Sequence, residues 1–98
     1  MTQPPTFEIH ESHVDGSLRL SLTGELDLSS TRVLEDRLAR LRALRTPVRL
    51  DLSRLEFIDS TGIHLLIRTV GDARIKHWNV RIEPDVSRPV MSLFKLLI

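Results

Sequence analysis

The sequence predicts a single α/β domain, in which a mixed central sheet begins with an N-terminal hairpin and carries helices packed against it. Two observations predict this class: a tight-turn signal between two short strand-like runs, and a later alternation between the hydrophobic periods of strand and helix. The chain has 98 residues, of which 41% are hydrophobic and 28% charged, as in an ordinary globular domain. We therefore treat residues 1–98 as one domain.

The first two predicted strands flank Asp15 and Gly16, a dipeptide typical of a tight hairpin turn. In the second strand, Leu18, Leu20 and Leu22 alternate with polar residues. One face of this strand is therefore expected to be buried and the other solvated.

Helices and strands alternate in the rest of the chain, which gives the order β-β-α-β-α-β-α and implies βαβ crossovers. A leucine stripe predicts a first helix that Ser29 or Ser30 can cap and that Pro47 ends. The third strand is VRLDLSRLEFID, a second helix begins at Ser60, and NVRIEP and DVSRPVMSLFKLLI are the last strand and helix. The side chains expected to be buried include Leu20, Leu22, Leu34, Leu38, Leu50, Leu52, Ile67 and Val70.

Composition excludes several classes of function. The chain has no cysteine, which excludes a disulfide framework and thiolate metal sites. Its 14 Lys and Arg nearly balance its 13 Asp and Glu, so no overall charge favours direct nucleic-acid binding. Neither a membrane-spanning run nor a secretion signal is present in the sequence, which predicts a cytoplasmic protein without membrane insertion.

An acid, two hydroxyls and a glycine follow the third strand at Asp59, Ser60, Thr61 and Gly62. In α/β folds, the corner between a strand's carboxyl end and the next helix is a common place for function. One interpretation is that Asp59 or Ser60 only caps the helix. A cap needs one such residue, however, and the glycine permits close backbone approach, so the full pattern favours a further role.

The segments LTGELDLSSTRVLEDRL and VRLDLSRLEFIDSTGIHLL resemble the STAS domain of bacterial anti-sigma-factor antagonists and of sulfate transporters. The resemblance covers nearly the whole chain, and it implies one more strand or helix after residue 98, so we expect the final C-terminal element to be lacking. It implies that Ser60 is phosphorylated by a partner that is both an anti-sigma factor and a serine kinase. It also implies a partner-binding surface made of Asp27, Asp59, Ser60, Thr61, Gly62 and His64.

The chemistry of this corner suits a switch. A phosphate on Ser60 would meet free N–H groups and the positive end of a helix dipole, and would add about −1.5 to −2 charge beside Asp59 and Asp27. The fold could persist while the surface lost its partner. His64 replaces a small residue that the family often has, and it is either an exposed helix histidine or, when protonated, a group that pairs with the phosphate.

Other chemistry has little support in the sequence. No nucleophile elbow, phosphate-binding loop or metal-ligand cluster is visible, so we expect no catalysis, no cofactor, no metal and no small-molecule ligand. The alternative to the switch is a non-switching STAS module that serves a transporter or signalling complex. A further set of cations is interpreted as a solvated helix face or as a surface for an acidic partner: Arg32, Arg37, Arg40, Arg42 and Arg45.

Overall fold

The structure is a computed structural model that describes residues 6–97. The strands are β1 (Phe7–Val14), β2 (Ser17–Leu26), β3 (Val48–Asp51), β4 (Leu55–Ile58) and β5 (Val80–Ile82). The helices are α1 (Thr31–Ala43), α2 (Ser60–Ile75) and α3 (Arg88–Leu97). The predicted α/β class is confirmed, and Ile98 of the predicted last helix lies outside the described residues.

The five strands form one mixed sheet in the order β1-β2-β3-β5, with β4 also paired to β2. The predicted hairpin is confirmed: β1 and β2 are antiparallel, and both Asp15 and Gly16 have the positive φ that a tight primed turn requires. The other pairs are parallel, and Leu20 lies opposite Leu50. The two crossovers therefore carry α1 and α2 back along the sheet.

The predicted third strand is wrong as a single element, because the structure divides it into β3 and β4. The carboxylate of Asp51 accepts hydrogen bonds from the Ser53 backbone N–H (3.0 Å) and hydroxyl (2.7 Å), which turns the chain. The chain then re-enters the sheet as β4, beside the last residues of β2. This break brings the end of β4 next to the end of β2.

The core lies between the helices and the leucine face of the sheet. Six of the eight expected core residues are buried, but Ile67 is 47% exposed and Val70 is only half-buried. The stripe that α2 buries includes Ile63, Leu66 and Ala73, which places Ile67 on the flank of the helix. Apolar residues occur on neighbouring faces of α2, so the sequence alone is compatible with either face being buried. In the folded domain, the face with Ile63, Leu66 and Ala73 packs against the core.

Candidate functional site

Sheet topology brings the two predicted acidic positions to the same edge. β2 and β4 are parallel neighbours that end at Leu26 and Ile58, so Asp27 and Asp59 each begin the connection that follows. The Asp59 backbone N–H donates to the Leu26 carbonyl (3.2 Å), which fixes the two strand ends together. The loops after β2 and β4 are therefore close together because of the register in which these two strands pair.

Asp59 is the N-cap of α2 and also ties the two loops to each other. One of its carboxylate oxygens accepts from the Gly62 backbone N–H (3.0 Å) and from the Thr61 hydroxyl. The other oxygen accepts from the Leu28 backbone N–H (3.1 Å), in the loop after β2. Burial disfavours the charge, but these hydrogen bonds outweigh it and lower the pKa of Asp59. Between the two capping candidates, the structure selects Asp59.

Asp27 organises the β2–α1 loop. Its Oδ1 accepts from the Ser29 hydroxyl (2.6 Å) and backbone N–H (3.0 Å). The hydrogen bonds from Ser29 lower the pKa of Asp27, while the nearby charge of Asp59 acts in the opposite direction. Ser30 occupies the N-cap position of α1, but its hydroxyl faces the loop, where it donates to the Glu25 carbonyl (2.7 Å) and accepts from the Asp27 N–H (2.9 Å).

Ser60 differs from the hydroxyl groups around it. It is the first residue of α2 and is exposed, whereas Thr61 is half-buried and donates its hydroxyl to Asp59. Ser29 is exposed, but its hydroxyl is held by Asp27, and Ser30 is buried. An enzyme that approaches this edge from solvent therefore meets Ser60 as the accessible hydroxyl at the start of α2.

Gly62 lets the first turn of α2 lie directly on the ends of β2 and β4. A Cβ added at this buried position would stand 2.8 Å from the Leu26 carbonyl oxygen and 2.8 Å from Cγ1 of Ile58. Both distances are too short for any side chain, and one neighbour is backbone that holds a sheet hydrogen bond. The glycine thus positions Ser60 and has a packing role.

His64 lies one helical turn after Ser60 on α2 and is exposed. Residues separated by four positions on a helix are surface neighbours, so the side chains of Ser60 and His64 lie on the same face of α2. Asp27, Asp59, Ser60, Thr61, Gly62 and His64 are thus assembled at one edge of the sheet.

Apolar residues border this edge, and sequence reasoning missed them. Leu28 is 76% exposed although its backbone is fixed by Asp59. Beside Ser60, an open groove of about 660 Å³ runs between the start of α2 and α3, and Phe57 and Leu96 lie along it. The sequence does contain a signal for Leu28, which is an apolar residue in the polar run after GELD. It contains no signal for the groove, because the groove depends on how α3 packs against the rest of the domain.

The glycine of GELD also has a local cause. Gly24 has φ +85°, and a Cβ there would lie 2.0 Å from the Thr6 carbonyl oxygen. The β2–β4 register shifts between Gly24 and Glu25, and the Glu25 N–H donates to the Thr6 carbonyl (2.6 Å). This bulge sets the direction in which β2 enters the Asp27 loop.

A comparison with protein families identifies the family of this chain. The family model described as "Mlab, STAS domain" matches residues 9–97, nearly the full length. The chain belongs to the STAS domain family. No significant match was found among curated protein sequences.

Solved structures of anti-sigma factor antagonists have a similar fold. An anti-sigma factor antagonist from Mycobacterium paratuberculosis is 25% identical with a TM-score of 0.73, over 98% of this chain and 84% of that one. The phosphorylated form of the Bacillus cell fate determinant SpoIIAA is 17% identical with a TM-score of 0.70, over 93% of this chain and 82% of that one. A Rhodobacter sphaeroides antagonist STAS domain is 22% identical with a TM-score of 0.60, over 86% and 95% of the two chains.

No helix within residues 6–97 combines the length and apolar character needed to cross a bilayer. In the same part of the chain, no three His, Asp or Glu side chains come together as a metal site would require.

Proposed function

We propose that this STAS domain is an anti-sigma-factor antagonist whose binding is controlled by phosphorylation of Ser60. The antagonist role is supported by the likeness to the mycobacterial antagonist, which is 25% identical over 98% of this chain. The observation that carries the switch is the contrast between Ser60, which is exposed, and the neighbouring hydroxyls of Thr61 and Ser29, which are held by Asp59 and Asp27. A kinase would therefore find its acceptor at Ser60.

Charge explains how such a modification would act. Asp27 and Asp59 both have lowered pKa values, so both are carboxylates at neutral pH. A phosphate on Ser60 would add about −1.5 to −2 charge beside them. Burying that charge against a partner costs several kcal/mol unless the partner supplies cations, and like charges across an interface cost a similar amount. The phosphorylated surface would therefore release a partner that binds the unmodified one.

The fold is expected to survive the modification. The phosphate would sit on the first residue of α2, where helix N–H groups and the helix dipole favour negative charge. Asp59 would still cap the helix, because its bonds go to Gly62, Thr61 and Leu28 and not to the Ser60 hydroxyl. The switch would thus act through surface charge with little change in the backbone.

The partner in this proposal is an anti-sigma factor with serine kinase activity, and the STAS domain itself supplies no catalytic group. The exposed Leu28 and the Phe57–Leu96 groove beside Ser60 give the partner apolar surface to bury. Because the partner is a regulator of transcription, the complex is proposed to form in the cytoplasm. No cofactor has a part in this scheme.

The proposal is tested with two substitutions at one position. Ser60→Ala keeps the surface neutral and is expected to bind the anti-sigma factor within about tenfold of wild type, since one hydrogen bond contributes about 0.5–1.5 kcal/mol. Ser60→Asp adds a carboxylate and is expected to bind at least about a hundredfold more weakly. Partners are captured from a lysate of the source bacterium on immobilised wild type, and affinities of the purified partner are measured by calorimetry.

Ser12→Asp is the matched control. Ser12 is an exposed serine on β1 that pairs with Arg19, at the opposite end of β2 from Asp27. This control and Ser60→Ala should both bind the partner. If Ser60→Asp binds as tightly as Ser60→Ala, charge at Ser60 does not control the interface, and the alternative of a non-switching STAS module becomes the better account. Capture of a transporter component in place of an anti-sigma factor would support the same alternative.

A further inference from the structure

A basic and apolar surface lies at the end of the sheet opposite Ser60. Because β2, β3 and β5 are parallel, the ends of α1 and α2 and the hairpin turn all meet at the amino ends of these strands. Backbone bonds from Leu18 to Pro47 (2.8 Å) and from Val48 to Asn79 (2.9 Å) fix these loops side by side. We call this end the basic pole, and define it by Arg42, Leu44, Arg45, Arg74, Ile75 and Lys76.

Charge is segregated at the basic pole. Residues 37–50 contain five arginines and no acid, and residues 73–82 contain two arginines, a lysine and a histidine and no acid. Three acids approach from elsewhere: Glu11 of β1 pairs with Arg37, Asp15 lies 3.9 Å from Arg49, and Asp72 lies one turn before the end of α2. The pole is therefore net positive although the whole chain has a formal charge of only +1.

Two large aliphatic side chains project from the same surface. Leu44 follows α1 and is 69% exposed, and Ile75 ends α2 and is 77% exposed. The Arg45 guanidinium donates to the Lys76 carbonyl (3.0 Å), so the residues that follow Leu44 and Ile75 are in direct contact. Between the two helix ends lies a shallow pocket of about 280 Å³ lined by Arg42, Arg45, Lys76 and Trp78, together with Ala43.

Stabilisation of the helices explains only part of this pattern. Cations in the last turn of a helix complement its dipole, which accounts for Arg40, Arg42 and Arg74. The dipole does not explain why Leu44 and Ile75 point into water beside them. Aliphatic side chains flanked by Arg and Lys are the arrangement that a lipid bilayer with anionic headgroups accepts, because the cations pair with phosphates while the aliphatic groups enter the boundary of the acyl chains.

We infer that the basic pole is a peripheral docking surface for an anionic phospholipid membrane. A headgroup phosphate would occupy the pocket between the helix ends, with Arg42 and Lys76 as its cationic partners. Leu44 and Ile75 would reach the apolar boundary. The Ser60 edge, at the other end of the strands, would stay in solution and free to bind a protein.

Vesicle flotation tests the inference with the purified chain. The wild type should float with vesicles of phosphatidylcholine mixed with phosphatidylserine, and should stay behind with vesicles of phosphatidylcholine alone. Arg42→Gln with Lys76→Gln should weaken binding by roughly tenfold or more, since each cation near an anionic surface contributes about 1 kcal/mol. Arg54→Gln with Arg88→Gln removes the same charge elsewhere on the surface and should leave binding unchanged.

A second pair of variants separates insertion from charge. Leu44→Ser with Ile75→Ser keeps every cation and should still weaken binding severalfold, whereas Val33→Ser with Ile67→Ser, at exposed positions outside the pole, should not. Circular dichroism confirms that all variants are folded. Equal flotation of the pole variants and their controls would overturn the inference. So would binding to polyglutamate but not to vesicles, which would identify an acidic protein as the partner.

Discussion

The carboxylate of Asp59 accepts the backbone N–H of Leu28 at 3.1 Å, across 31 residues of chain. This bond joins the loop after β2 to the first turn of α2, and the other Asp59 oxygen caps that turn through Gly62. One acid therefore holds both loops that carry the proposed partner surface. Substitutions at Asp59 and at its neighbour Ser60 should have different consequences.

Asp59→Ala is predicted to lower the free energy of unfolding by about 1–3 kcal/mol, because it removes the cap of α2 and the acceptor for the Leu28 N–H. Ser60→Ala should change it by no more than about 0.5 kcal/mol, since Ser60 is exposed. Urea titrations of both variants measure the difference. Equal losses would mean that Ser60, and not Asp59, stabilises the corner.

Gly62→Ala and Gly71→Ala, both in α2, are predicted to have opposite effects. At Gly62 the new methyl group would clash with the Leu26 carbonyl and Ile58, at a cost of about 1–3 kcal/mol. At Gly71 no neighbouring atom of the described residues lies within 4 Å of the added Cβ, and replacing a helix glycine by alanine stabilises by about 0.5–1 kcal/mol. Thermal unfolding measures both. A Gly62→Ala protein as stable as wild type would contradict the close packing of α2 on the strand ends.

Leu50→Ala is predicted to cost about 2–5 kcal/mol, since the side chain is fully buried in the central sheet. Ile67→Ala, by contrast, should cost about 1 kcal/mol or less, because nearly half of that side chain is already in water. The loss at Ile67, measured by urea titration, tests which stripe of α2 faces the core, and Leu50 is the reference for a fully buried side chain. A loss at Ile67 as large as the loss at Leu50 would contradict the assignment.

Acid is predicted to destabilise the protein through Asp27, Asp51 and Asp59, whose pKa values are lowered in the folded state. A carboxylate with a lowered folded-state pKa stabilises the fold above its unfolded value of about 4, and this contribution is lost as the pH falls through the folded-state pKa. When urea unfolding is measured from neutral to strongly acidic pH, the urea concentration at the midpoint should therefore decrease once the pH is below about 4. Asp59→Asn, which does not titrate, should show a shallower fall, and an unchanged profile would exclude Asp59 from the effect.

The hairpin, the helix starts and the leucine face were predictable because they depend on neighbours in sequence. Asp15 and Gly16 signal their own turn, and the alternation of β2 reports which face is buried. The division of VRLDLSRLEFID into β3 and β4 was not predictable in this way. Leu50, Leu52 and Leu55 are all buried, and one continuous strand would be expected to bury them as well. The break shows in the pairing, where β3 lies beside residues 18–21 of β2 and β4 lies beside residues 24–26.

Local motifs likewise identified the polar residues of the candidate site but not its apolar border. The residues of DSTG cap a helix or begin it, and those roles follow from short-range backbone geometry. Leu28 and the Phe57–Leu96 groove are exposed because of how the β2–α1 loop and α3 sit on the sheet. Exposure of a large apolar side chain is a tertiary property, so it becomes visible only in the structure.

The position of β2 in the sheet has a consequence for local opening of the fold. β2 is bonded to β1 along one edge and to β3 and then β4 along the other, while β5 pairs with β3 alone among residues 6–97. Amide protons of β2 should therefore exchange with deuterated solvent last, and only when the whole domain unfolds. Those of β5 should exchange through smaller openings. The Asp27 loop is thus attached to the most protected strand, and the surface beside Ser60 would keep its shape while the far edge of the sheet fluctuates.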